Sequence, residues 1–202
     1  MFHFVDIGAH RGEASSRFVG RGLTDVQLHL FEPNPTLMRL LEERFKYSSN
    51  VRLNETAFHI KEGEADMYTP DPESESSSLY AEKKTSPGAP VLCVKMIDGP
   101  AYLKNLDSGP IVLFSNCEGS EFDFMPVILD MPELVDRIKL WAIGFHHGQR
   151  KIPTMRPAYE KIQATMDALG IENPNRHYSR SDIRDGKLDR FIDEVVAVYN
   201  EQ

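Results

Sequence analysis

"FVDIGAHRGE", residues Phe4 to Glu13, is the stretch on which the reading of the whole chain turns. Phe2 to Ile7 is apolar apart from His3 and Asp6, the pattern of a strand buried on both faces. Gly8 and Gly12 follow with three residues between them, and Glu13 to Val19 reads as a short helix ending near Gly20. Strand, glycine turn and helix together bring backbone close to a ligand, and Asp6 sets a carboxylate beside it.

The same alternation continues outward. Val26 to Phe31 is a second strand, followed by Glu32-Pro33-Asn34-Pro35 and a helix from about Thr36 to Phe45, whose Leu37, Leu40, Leu41 and Phe45 form one apolar stripe. Val51 to Leu53, Ala65 to Tyr68 and Val91 to Ile97 read as further strands. Ile111 to Asn116 is a strand, a helix lies near Glu121 to Leu129, and a strand from Ile138 to Phe145 runs into His146-His147-Gly148. A helix from about Arg156 to Leu169 carries Tyr159, Ile162, Met166 and Leu169 on one face and stops at Gly170. The β-branched run Val195 to Tyr199 is expected to close the chain as a strand. Strands alternating with helices predict an α/β domain with a Rossmann-like, doubly wound, mostly parallel sheet and helices on both faces. Residues 69–90, rich in proline and serine, exceed the usual loop length, which is expected of a lid, a binding loop or a disordered segment.

At 202 residues the chain makes one ordinary domain. It is 41% hydrophobic and 27% charged with a formal net charge of -8, a soluble globular composition without the basic excess of a dedicated nucleic-acid binder. Cys93 and Cys117 fall inside expected apolar strands and form no metal-type pair, so both are read as reduced thiols. With no basic n-region before an apolar run and no stretch approaching the ~20 apolar residues of a membrane span, the expected location is the cytoplasm.

Open parallel sheets bind ligands beyond the carboxyl ends of their strands. Those positions hold Asp6, Glu32, Asn116 with Glu118, and His146 with His147. Gly12 and Glu32 are twenty residues apart, the spacing at which an acid ending the second strand accepts the ribose hydroxyls of a nucleotide lying over the first turn. Taken alone, Glu32 reads better as an acid at a helix N-terminus; together with Asp6 and the glycines, the ribose reading prevails. A dinucleotide turn has glycine where His10 stands, and Asp6 would repel a diphosphate. A ligand with an amino group, a ribose and no phosphate fits better, and S-adenosylmethionine has that make-up.

These motifs, continued by "LHLFEPNP", "NETAF", "KEGEADMY", "SSSLY", "VKMIDG", "NCEGSEFDFM" and "LWAIGFHHG", resemble the FkbM-type branch of the class I S-adenosylmethionine-dependent methyltransferases over most of residues 4 to 148. The resemblance implies the class I methyltransferase fold, with an antiparallel C-terminal strand. It implies Asp6, Gly8, His10 and Gly12 at the methionine end of the cofactor, Glu32 with Pro33 at its ribose, and Glu55-Thr56-Ala57 near its adenine. Asn116 and Glu118 would face the transferred methyl group. The implied reaction is O-methylation of a sugar or small-metabolite hydroxyl, with no nucleic-acid or membrane partner. Asn116 stands where the family often has an aspartate, and an amide cannot act as a base near neutral pH. Gly144 likewise replaces a frequent acid, and the chain begins on the first strand. Cover for the cofactor is therefore expected from residues 69–90, from the stretch after His147, or from a second subunit in a homodimer.

Methyl transfer from a sulfonium is an in-line displacement that needs an aligned nucleophile and removal of its proton. The candidate base is His146 or His147, neutral for much of the time near pH 7, with Glu118 orienting histidine or substrate. The same histidines could instead be strand-end residues bonded to backbone. Glu118 with the histidines also has metal-ligand chemistry, although adjacent residues on a strand point to opposite faces, so one histidine at most is expected to reach such a site. The serines Ser76-Ser77-Ser78 offer hydroxyls to a ligand or to solvent. Two rivals share the fold: a nicotinamide-dependent oxidoreductase, and a non-catalytic cofactor-binding or interaction protein that retains Asp6 and Glu32.

Overall fold

The computed structural model describes residues 1–23, 25–83, 88–147, 152–172 and 187–201. In chain order the elements are β1 (Phe2–Ile7), α1 (Glu13–Val19), β2 (Val26–Phe31), α2 (Pro35–Phe45), β3 (Val51–Asn54), β4 (Ala57–His59), β5 (Gly63–Tyr68), β6 (Val91–Asp98), α3 (Gly99–Lys104), β7 (Ile111–Ser115), α4 (Glu121–Leu129), α5 (Pro132–Val135), β8 (Ile138–Ile143), a 3-10 turn (Pro153–Met155), α6 (Arg156–Ala168) and α7 (Lys187–Asn200). Five of the strands form a parallel sheet in the order β3-β2-β1-β7-β8. The connection after β1 runs one way to β2 and β3, and the second half runs the other way to β7 and β8. The strand order therefore switches between β1 and β7, which opens a crevice above their carboxyl ends. This is the expected Rossmann-like α/β architecture.

β1 is buried along its whole length, and its side chains alternate between two cores. Phe4 stacks on Phe18 of α1 at 4.9 Å and lies against Phe191 of α7, in a layer that also holds Leu41 and Phe45 of α2. Val5 and Ile7 point the other way, into a core with Phe124 of α4, Leu103 of α3 and Ile162 and Met166 of α6. Helices thus cover both faces. The entry of α2 follows from local chemistry, since the Asn34 side chain accepts the Thr36 amide at 2.9 Å and Pro35 occupies the first turn.

One expectation is corrected, and two placements follow from the tertiary structure alone. Val195 to Tyr199 is not a strand but part of α7, so the expected antiparallel closing strand is absent among the described residues. Phe191, Ile192 and Val195 are buried at i, i+1 and i+4, and this helical period outweighs the strand preference of the valines. The strands at 65–68 and 91–97 do not join the main sheet. They pair antiparallel as β5 and β6, with β4 parallel to β6, in a second three-stranded sheet. This sheet buries Ala57, Met67, Val94 and Met96 and turns Cys93 and Lys95 outward, so Cys93 is exposed. Cys117 lies beyond the end of β7, and burial together with the neighbouring Glu121 pushes its thiol well above the usual range.

Candidate functional site

A cavity of about 620 Å³ lies over the switch point. Its floor includes Asp6, Gly8, Ala9 and His10 at the end of β1, Glu32 and Pro33 at the end of β2, and Thr56, Ala57 and Phe58 at β4. Asn116, Cys117 and Glu118 after β7 and Phe145, His146 and His147 after β8 complete it, and Ser74 to Leu79 form its roof. Of the expected site residues, Gly12 and Glu55 are not among the lining groups. Glu55 is exposed. Gly12 has φ 75°, and a β-carbon there would sit 2.7 Å from Phe45 and 2.9 Å from Leu41. Its glycine serves the close approach of α1 to α2 rather than a ligand. Gly148 lies outside the described residues.

Gly8 is where backbone must pass close. Its φ is 80°, and a β-carbon would meet the Asn116 carbonyl oxygen at 2.6 Å. We therefore expect Gly8→Ala to destabilise the fold by about 2–4 kcal/mol, the sum of a left-handed backbone and a clash with main chain. Urea unfolding measures it, and a loss below about 1 kcal/mol would contradict this account of the turn.

Asp6 is 1% exposed. Its Oδ2 accepts the Ser15 hydroxyl at 2.6 Å, while Oδ1 has no hydrogen-bond partner among the described residues. Burial dominates its titration and raises it to about 7; the Ser15 bond opposes the shift, and Glu13 and Glu32 add to it. Glu32 is also raised by burial, against the pull of two amides: Oε1 accepts Asn34 N and Oε2 accepts His10 N, both at 2.9 Å. Each oxygen keeps a second lone pair for a ligand hydroxyl. His10, in a left-handed conformation at φ 51°, is lowered by burial but held above its ordinary value on balance by Glu13. Thr56 contributes a buried Oγ1 that also lacks a partner among the described residues.

The far end of the cavity holds a chain of buried charges. Glu121, 0% exposed, accepts both the backbone amide and Nδ1 of His146 through Oε1, each at 2.7 Å, and the Gly119 amide at 2.9 Å through Oε2. His146 Nε2 lies 3.1 Å from Glu118 Oε1. Burial opposes its charge, yet Glu121 and then Glu118 outweigh burial and raise His146 to about 9, so it is an imidazolium at neutral pH. That corrects the expectation of a neutral His146 acting as base. His147 is placed differently: its ring stacks on Tyr159 of α6 at 3.7 Å and 7°. Both histidines line the cavity, because residues 144–147 lie beyond β8 and do not obey strand alternation. Both ring nitrogens of His146 face glutamates, and among the described residues no group of three metal-type side chains is arranged to hold an ion.

His146 has a stability signature. Its folded pKa lies above the unfolded value of 6.5, so the stabilisation it gives is complete below pH 6.5 and is lost as pH rises through about 9. The stake is about 3 kcal/mol. Glu121→Gln removes the charge that holds the proton, and we expect it to cost about 3–5 kcal/mol at pH 6.5 and to abolish most of this slope. Thermal midpoints at pH 6.5 and 9 for the two proteins are the check.

The roof is tied down at both ends. Tyr68 and Ser78 pair as an isolated antiparallel bridge. Asn34 Nδ2 donates to the Pro72 carbonyl at 2.9 Å, Arg11 pairs with Glu73, and the Ser78 hydroxyl donates to the Glu118 carbonyl at 2.7 Å. Of the serine run, Ser78 is therefore committed to the fold, and Ser77 donates to Thr69 Oγ1 at 2.8 Å. Lys83 follows, 0% exposed, with Nζ at 2.6 Å from the Ser76 carbonyl and 2.5 Å from Glu118 Oε2. Sequence reasoning missed three residues here. Glu121 stands three residues from Glu118 in the run Asn116 to Met125, and Tyr159 reads as one more apolar position of its helix. Lys83 gave no signal at all in a polar stretch.

No family model and no curated protein matches the chain. Among solved structures it is similar to the methyltransferase FkbM from Methylobacillus flagellatus KT, with 15% identity, 88% of this chain covered and a TM-score of 0.48. The chain spans 40% of the length of that protein, which bears the name of the family its motifs resemble. So distant a likeness adds nothing to the topology already described, and the chemistry must come from the cavity's own residues. No helix among the described residues is long and apolar enough to cross a membrane.

Proposed function

We propose that the chain is an S-adenosylmethionine-dependent methyltransferase acting on a hydroxyl of a sugar or small metabolite. One observation supports this most: Asp6, a buried carboxylate with one oxygen unpartnered among the described residues, lines the same cavity as Glu32. A buried acid kept close to neutrality costs stability unless a cation comes to meet it. The ligand's ammonium would pair with Asp6 and its ribose hydroxyls with Glu32, while Gly8 leaves room for backbone approach and Thr56 can offer its hydroxyl near the base. The bound sulfonium would supply an electrophilic methyl group.

The chain's own part is alignment and proton removal. His146 is committed as a cation between two glutamates, so His147 is the better base, its ring plane set by Tyr159. Glu118, held by His146 and Lys83, would orient the acceptor. A second subunit covering the site, and a cytoplasmic location, remain part of the proposal.

Calorimetric titration with S-adenosylhomocysteine and with NAD tests the reading. Micromolar binding of the first and none of the second is expected; the reverse would assign an oxidoreductase. Binding without methyl transfer to any of a panel of sugars and metabolites would favour the non-catalytic alternative, to which Asn116 and Gly144 lend some weight. A β-carbon at Gly144 would lie 3.1 Å from Asn116 Oδ1, so the two substitutions fit one another.

A further inference from the structure

Lysine is almost never fully buried unless it is paired, yet Lys83 is 0% exposed at the end of the roof segment. Its ammonium closes an alternating series that starts in α4: Glu121, His146, Glu118, Lys83. Glu118 is the hinge of the series. Its backbone is left-handed at φ 59°, the next residue, Gly119, has φ 132°, and a β-carbon on Gly119 would come within 2.7 Å of both Ile152 and Tyr80. The turn thus combines a left-handed non-glycine residue with a glycine that has no room for a side chain beneath Tyr80 and Ile152. Its carbonyl accepts Ser78, its Oε2 accepts Lys83, and both donors come from the roof. Tyr80, between them, donates to Asp123 of α4 at 2.7 Å.

We propose that Lys83 is a positioning residue delivered by the roof: by holding Glu118 from above while His146 holds it from below, it completes the transfer site only when residues 69–83 lie folded across the cavity. This rests on reading the cavity as a transfer site, and it gives roof closure a chemical consequence. A hydrophobic side chain of similar volume would hold the roof as well or better if Lys83 were there only to fill space, because replacing buried charges by packed apolar groups is often neutral or stabilising. The charge is retained to fix Glu118.

The test needs neither cofactor nor acceptor, so it stands apart from the titration above. Cleavage within residues 69–83 by subtilisin is timed for the wild type, Lys83→Met, Glu118→Gln and the double variant, alongside the ring-proton resonances of His146. Each single variant should be cut about tenfold faster, the double variant no faster than either single one, and the His146 Nε2 proton should move downfield in Lys83→Met as Glu118 loses the competing pull of the ammonium. Unchanged or slower cleavage in Lys83→Met, multiplying effects in the double variant, or an unmoved His146 resonance would each overturn the proposal. A protein with these latch properties that binds no S-adenosylhomocysteine would retain the latch and lose the methyltransferase reading.

Discussion

Asp6→Asn should stabilise the ligand-free protein at pH 8 while weakening its affinity for S-adenosylhomocysteine by roughly 10- to 100-fold. Both effects have one cause. Folding moves the Asp6 carboxyl from 3.8 to about 7, so the folded chain binds a proton more tightly than the unfolded one. Stability is therefore highest below the unfolded value, falls as pH rises through the interval, and carries the full penalty above about 7. That penalty is about 4 kcal/mol, of which an amide retaining the Ser15 bond should recover about 2–3 kcal/mol. At pH 5 the gain should shrink, because the wild-type carboxyl is then mostly neutral. The same ionisation controls the ligand: below pH 7 the affinity should fall by up to about tenfold per unit, and above it should level off. Thermal midpoints and calorimetric titrations of both proteins between pH 5 and 8.5 decide the matter. An Asn variant that is less stable at pH 8 yet binds as tightly would show that Asp6 holds the turn together instead of receiving a cation.

His147→Ala should lower kcat by about 10²–10⁴-fold, the usual contribution of a positioned base, with the affinity for S-adenosylhomocysteine changed less than about threefold. His146→Ala should behave otherwise. It leaves Glu118 and Glu121 buried side by side without the cation between them, so loss of stability should dominate over loss of turnover. Unfolding and single-turnover rates, measured on both variants, separate the roles. Equal activity in His147→Ala and wild type would remove His147 from the chemistry and turn attention to Glu75 and Glu118. Tyr159→Leu tests the stacking more gently and should lower kcat while sparing the cofactor affinity.

Much of the fold follows from local pattern. β1, β2, β7 and β8 are runs of apolar residues long enough to be strands and bounded by turn residues, and the helices α1, α2, α4 and α6 each repeat every three to four positions. The residues at the strand ends could be named in advance because parallel topology sends every such end to one edge. Asp6, Gly8, His10, Glu32, Pro33, Thr56, Ala57, Asn116, Glu118, His146 and His147 do meet in one cavity. The closing helix reads as a strand in sequence because Val195, Val196 and Val198 weigh toward one when viewed alone, whereas Phe191 and Ile192, one turn earlier, set the period.

What the chain determines by itself is thus the order of its layers and which side chains stand at their rims, since both depend on spacing along a few consecutive residues. Only the tertiary structure decides what those side chains are. Two carboxylates at strand ends look alike in a sequence, but burial raises Asp6 to about 7, whereas the rise that burial gives Glu32 is partly held back by two amides. The adjacent histidines look alike too, until Glu118 and Glu121 close on one and Tyr159 on the other. Charge state depends on the dielectric and the neighbours that remote segments bring, and Lys83 reaches Glu118 from thirty-five residues away.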